Sequence, residues 1–233
     1  MNPELRRRTP TLRAARVILA KDLRIELRTL QSLSAMLLFS LTTFVLFRYG
    51  LDRTSLEGSL ASGVLLMTIL FAAVLGIGRL FVAEREQGGF DAFALAPIDG
   101  SALFYAKVTA QLIYLAILEA FALPVFAVLF LSDWSGLGAL TAVLALLNLG
   151  LALIGTIVSV MATNSRARDL LTPLLLLPLL VPLMISAASA AAPLLDADGP
   201  SFAEFPKWLA LLGLYDLIFG LIGWAVFDYL IED

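Results

Sequence analysis

Six long apolar intervals separated by short polar connections set the pattern of the chain. They run from about Ser32 to Phe47, Gly58 to Gly78, Val108 to Leu131, Leu137 to Ala162, Leu170 to Leu195 and Trp208 to Phe227, with few or no charges inside. A helix crossing a bilayer needs about 20 such residues, because its backbone groups must bond within the segment. The pattern therefore predicts an all-α polytopic membrane protein of six transmembrane helices. The connections at the outer ends, such as "SDWSG" and "DADGPSFAEFPK", leave no room for a separate domain, so residues 1–233 read as one transmembrane domain.

Two polar stretches have a helical pattern of their own. In residues 1–31, Val17, Ile18, Leu19, Leu23, Ile25 and Leu27 interleave with Arg16, Lys21, Arg24 and Arg28, the pattern of an amphipathic helix lying along lipid headgroups. A merely solvated basic tail is the alternative, and Arg6 to Arg8 fit it better. A signal peptide is disfavoured, since the basic section is long and "FRYGLDR" is no small-residue cleavage site. Residues 79–107 contain "EREQGGFDAFALAPIDGSALFYAK". Glu84 suits a helix start, Gly88 and Gly89 allow a sharp turn, and Phe90 and Phe93 share one face with Asp91 on another. Pro97 ends the helix, and Lys107 is expected to anchor the third span at the interface. Two exposed phenylalanines require lipid or a protein groove.

Charge then orients the spans. Thirteen of the sixteen Lys and Arg residues fall on the side holding the N-terminus, leaving only Arg48, Arg53 and Lys207 opposite. Basic residues accumulate on the cytoplasmic side, so both termini are expected there. The chain is 60% hydrophobic and has no His and no Cys. That excludes disulfides, thiolate metal sites and the commonest general base. No G-x-x-x-x-G-K-[ST] phosphate loop occurs, so any ATP-driven work belongs to another polypeptide. The chain reads as a non-catalytic subunit whose partners are lipid and protein, not nucleic acid.

Polar residues inside the spans are the remaining candidates. Glu119, twelve residues past Lys107, would lie about 18 Å deep at the rise of an α-helix; Asn148 and Asp216 also sit within spans. They form either a polar pathway or neutral, hydrogen-bonded helix contacts. Tyr215 and Asp216 make a "YD" pair like that of intramembrane aspartyl proteases, but the GxGD partner motif is missing. Pro173, Pro178 and Pro182 would bend the fifth span and free carbonyls that need partners, so that helix is expected to face protein. The outer part of that span, up to "PLLDADG", reads as a broken or re-entrant helix. Arg166 and Arg168 are a possible second inner-loop contact, or a topological anchor. Met36, Met67, Met161 and Met184 fit apolar packing.

"FVAEREQGGFDAFALAPIDGSALFYAK" resembles the segment after the second span of ABC-2-type permeases. With "ELRTLQSLSAMLLFSL", "ATNSRARDLLTPLLLLPLLVPLMISAA" and "YDLIFGLIGWAVFDYLIE", nearly the whole chain resembles the CcmB family of haem exporter membrane subunits in cytochrome c maturation. Phe90 and Phe93 stand where such permeases usually carry leucine. The resemblance implies a half-transporter that pairs with a second copy and with a separate CcmA-like ATPase, beside CcmC-like and CcmD-like haem-handling proteins. It implies a coupling segment built from Glu84, Gly88, Gly89, Phe90, Asp91, Phe93 and Pro97. Because His and Cys are missing and only Met or Tyr remains as an axial ligand, no cofactor is expected on this chain itself, and haem handled by the complex would find its ligands on a partner. A non-transporting scaffold that converts ATPase strokes into remodelling of those partners is the alternative. A secondary transporter is third, and lacks the inverted repeats it requires.

Overall fold

The computed structural model describes residues 11–51, 55–86, 99–163 and 167–232. Every element among them is helical: α1 (Thr11–Thr29), α2 (Gln31–Gly50), α3 (Gly58–Ile77), α4 (Val82–Glu86), α5 (Gly100–Phe130), α6 (Leu137–Thr163), α7 (Arg168–Ala191) with a 3-10 turn at Ala192–Leu194, and α8 (Phe205–Glu232). Six of them, α2, α3, α5, α6, α7 and α8, are long and apolar enough to cross a membrane. The six predicted spans are thus all present.

α6 is the most enclosed span and packs against α3, α5, α7 and α8; α2 lies across α3 and α5, and α1 lies on α5. Glycines permit the close approaches at the centre. A Cβ on Gly155 would stand 2.5 Å from Ile77, and one on Gly150 would stand 2.7 Å from both Asp216 and Leu183. Ser159 adds a bond across α6 and α3, donating its hydroxyl to the Ile77 carbonyl at 3.0 Å. The aromatic core divides in two. Phe44, Phe126 and Phe130 pack at the far end, while Phe81, Phe104 and Phe227 pack at the α1 end.

Three expectations need correction. α5 begins at Gly100, not near Val108, because Ala102, Leu103, Phe104 and Ala106 are buried among the α1-end aromatics and continue the helix outward. Lys107 is consequently a buried residue two turns inside α5 and no interfacial anchor. The fifth span is neither broken nor re-entrant: α7 runs unbroken through Pro173, Pro178 and Pro182 to Ala191. Its buried stripe is Thr172, Leu176, Leu180, Leu183, Ala187 and Ala190, whereas Pro178 and Pro182 stand exposed on the other side. Two α7 carbonyls other than those the prolines free accept side-chain donors: the Tyr215 hydroxyl donates to Leu179 at 2.5 Å and the Ser186 hydroxyl to Pro182 at 2.9 Å.

At the far end the connections clamp one another. The Leu56 amide donates to Phe130 at 2.9 Å, the Gly58 amide to Leu195 at 2.9 Å, and the Ser201 amide to Pro193 at 2.9 Å. Gly58 sits at φ +52, where a side chain would be strained and its Cβ would meet Asp196 at 2.5 Å.

Candidate functional site

Polar chemistry concentrates where α1 meets the bundle. α1 buries Ala14, Ile18, Asp22 and Glu26, a stripe at a spacing of four, together with Ala15; Val17 and Leu27 point outward. Two acids thus occupy the inward face of a helix whose basic residues Arg13, Arg16, Arg24 and Arg28 are on its exposed sides. Their counter-charges come from the bundle. Lys107, only 2% exposed, brings its ammonium to 2.9 Å from Asp22 and 2.7 Å from Glu84. It also donates to the Leu80 carbonyl at 2.9 Å. One hydrogen bond to a carbonyl and two ion pairs to carboxylates thus surround the ammonium, which makes burial of the charge tolerable. The Phe81 ring lies 5.1 Å from the same nitrogen.

Lys21 closes the figure, 2.5 Å from Glu84 and 3.1 Å from Asp22. Each cation therefore touches both anions. The result is a neutral ring of four alternating charges linking α1, α4 and α5. Glu26 is used differently: its carboxylate accepts the backbone N–H groups of Ser32 and Leu33, each at 2.8 Å, and so caps the start of α2. Between the two helices Leu30 takes the left-handed conformation at φ 49, which breaks α1 from α2. Beside the ring is a cavity of about 60 Å³ lined by Asp22, Glu26, Arg79, Lys107 and Tyr114 among others. The Gln111 amide, fully buried, lies near Gly76 on the cavity wall and has no protein partner on either atom.

The other candidates distribute as follows. Glu84 enters the ring, its side chain buried. Gly88, Gly89, Phe90, Asp91, Phe93, Pro97 and Arg166 lie outside the described residues. Arg168 opens α7. Glu119 on α5 lies against the Asn148 side chain on α6, with Oε1 of the one and Oδ1 of the other left without a hydrogen-bond partner. Asp216, 4% exposed, projects from α8 against Gly150 and has no hydrogen-bond partner on either oxygen. Asn148 and Gly150 are two residues apart on α6, hence about 200° around it at 3.6 residues per turn. Glu119 and Asp216 thus approach α6 from opposite sides and share no site, which closes the aspartyl protease reading. Neither lines the cavity beside Lys107. Among the described residues no group of three His, Cys, Asp or Glu converges as a metal site.

The profile of the CcmB protein family matches residues 13–222, nearly the full length. The chain belongs to the CcmB family. It is 32% identical to heme exporter protein B of Rhodobacter capsulatus over 174 residues, 74% of this chain and 80% of that one. It is 29% identical to heme exporter protein B of Bradyrhizobium diazoefficiens over 210 residues, covering 89% and 93% of the two chains.

In this CcmB chain the ring has a definite pH window. Burial by itself would raise the Glu84 carboxyl, but the Lys107 and Lys21 ammonium groups more than reverse it and hold the carboxyl below its ordinary 4.5. Burial likewise works against the Lys21 charge, and Glu84 with Asp22 overcomes it, raising the group above its ordinary 10.5. The Glu84 contribution is complete above pH 4.5 and is lost as pH falls through the lower folded value. The Lys21 contribution is complete below 10.5 and is lost as pH rises through the higher one. The ring's contribution to the stability of the CcmB protein in detergent should therefore be constant between these limits. Glu84→Gln should shrink the acid-side decline, and an unchanged acid limb would contradict the assignment.

Proposed function

We propose that this chain is the membrane permease subunit of a haem export system serving cytochrome c biogenesis, with ATP hydrolysed by a separate CcmA-like subunit. The match to CcmB over residues 13–222 carries the reading. The six apolar helices supply the multi-pass membrane body it requires. In this reading residues 1–233 form one domain of a bacterial inner membrane, with the α1 end and both termini cytoplasmic, where thirteen of sixteen basic residues would lie. The chain is non-catalytic and works with a second copy and with CcmC-like and CcmD-like proteins. Without His or Cys it lacks the usual axial ligands, so haem is cargo whose ligands come from partners.

The segment around Phe90 and Phe93 is the foothold of the ATPase. Anchor side chains of a helix in a groove dominate such an interface. Phe90→Asp with Phe93→Asp should therefore weaken recovery of the ATPase with the purified chain by about tenfold or more. Undiminished recovery with undiminished ATP turnover would remove the coupling assignment. Haem and the ATPase accompanying the chain isolated with its native partners would support the whole reading; the absence of both would defeat it.

One observation favours the second reading, a scaffold that remodels haem-handling partners without passing haem through itself. Glu119 and Asn148 engage each other between α5 and α6 and do not line the cavity at the α1 end. Vesicles containing only this chain and the ATPase separate the two: ATP-dependent passage of haem supports export, and its absence despite ATP turnover supports remodelling.

A further inference from the structure

We infer that the ring of Lys21, Glu84, Lys107 and Asp22 is a mechanical joint that fastens α1 to α4 and α5, so that displacement of α4 is passed through α1 to the first turn of α2. What that displacement serves rests on the transport reading; the joint itself rests on three geometric observations.

Glu84 and Lys107 flank residues 87–98 in sequence, yet their charged groups meet at 2.7 Å. Lys107 also holds the Leu80 carbonyl, which ties α5 to the turn before α4. The chain entering and the chain leaving that segment are thereby locked together at their base. The other half of the ring is on α1, and because each cation touches both anions, α1 cannot leave without separating buried opposite charges. Finally, Glu26 stands one turn beyond Asp22 on the same buried stripe and holds the first amides of α2. Since Leu30 breaks the helix, this carboxylate cap ties α2 to the inward face of α1 across that break.

The contacts thus run from α4 to α1 to α2 through charge-assisted bonds throughout. An apolar seam can slide by small steps and absorb a push. A closed ring of charges, three of whose four members are buried while Lys21 stands at its exposed edge, has one favourable register, so it transmits displacement instead. Lys21, Asp22, Glu26 and Lys107 accordingly act as positioning residues, and none of them need touch cargo or nucleotide.

The chain has no cysteine, so an introduced pair is uniquely addressable. In the complete complex, Lys21→Cys/Glu84→Cys should lower haem release per ATP hydrolysed by about tenfold, the scale of a site-to-site coupling energy. Amide exchange should quicken together in α1 and in the first turn of α2. Joining the two thiols with a short bis-maleimide tether should restore both the coupling ratio and the protection. The milder Glu84→Gln, which keeps shape and hydrogen bonding, should fall between these and the unaltered chain. Wild-type coupling and exchange in the untethered pair would overturn the joint, as would a tether that restores neither or restores exchange alone. If the unaltered chain sustains no cytochrome c maturation, the transport reading fails separately, and the exchange measurements still decide the joint.

Discussion

Lys107→Met is expected to destabilise the protein by about 3–5 kcal/mol, the cost of breaking a buried ion pair from one side. Methionine fills the space of the lysine stem, so packing against Phe81 changes little. What remains is two carboxylates, Asp22 and Glu84, buried to 8% and 1% exposure, with only Lys21 between them. The Leu80 carbonyl also loses its donor. The same arithmetic predicts that the triple variant Lys107→Met/Asp22→Asn/Glu84→Gln recovers much of the loss, because an uncompensated charge costs more than an absent pair contributes. Lys107→Arg should fall between them: the charge is kept, but a planar fork replaces a three-pronged ammonium. Thermal unfolding in detergent, followed by tryptophan fluorescence, checks the series. A single methionine variant that melts with the unaltered protein, or a triple that melts no higher than the single, would show that the ring does not hold α1.

The spans were legible because a 20-residue apolar run has few other fates, and the boundaries of α3 and α6 follow directly from where charge resumes. The ring was not legible. Glu84 stood out only as the opening of a surface segment, and Lys107 looked like an anchor because a lysine beside an apolar run ordinarily marks the interface. Both inferences assumed that charge marks the edge of the protein, whereas here the charges neutralise one another inside it. A signal did exist in α1. Ala14, Ile18, Asp22 and Glu26 recur every four residues, so two acids share the stripe of the small apolar residues. Acids on the apolar face of an otherwise basic helix call for a buried cation, and Lys107 is the lysine that could answer. The cap from Glu26 to α2 was beyond reach, since it depends on the left-handed turn at Leu30 that no glycine or asparagine announces. The pairing of Glu119 with Asn148 was open as one of two outcomes, and it required knowing which faces of α5 and α6 meet.

At the opposite end, Gly136→Ala and Gly138→Ala should act in opposite directions although they are two residues apart. A Cβ on Gly136 would lie 2.0 Å from the carbonyl oxygen of Leu194, a backbone atom that no side-chain rotation can move away. The 3-10 turn Ala192–Leu194 would have to shift. Its displacement would pull on Leu195, whose carbonyl accepts the Gly58 amide at the start of α3, and on Pro193, whose carbonyl accepts the Ser201 amide. Overpacking at a site backed by main chain costs about 3 kcal/mol, the upper part of the usual range. Gly138, inside the first turn of α6, has nothing within 4 Å of its would-be Cβ. Alanine there gains helix propensity of up to about 1 kcal/mol with no steric cost. Melting temperatures of the two variants in the same detergent therefore separate on either side of the unaltered protein. If Gly136→Ala melted as high as Gly138→Ala, the contact that fastens α6 to the end of α7 and α3 would have to be discarded, and with it the fixed far end against which movement at the α1 end is set.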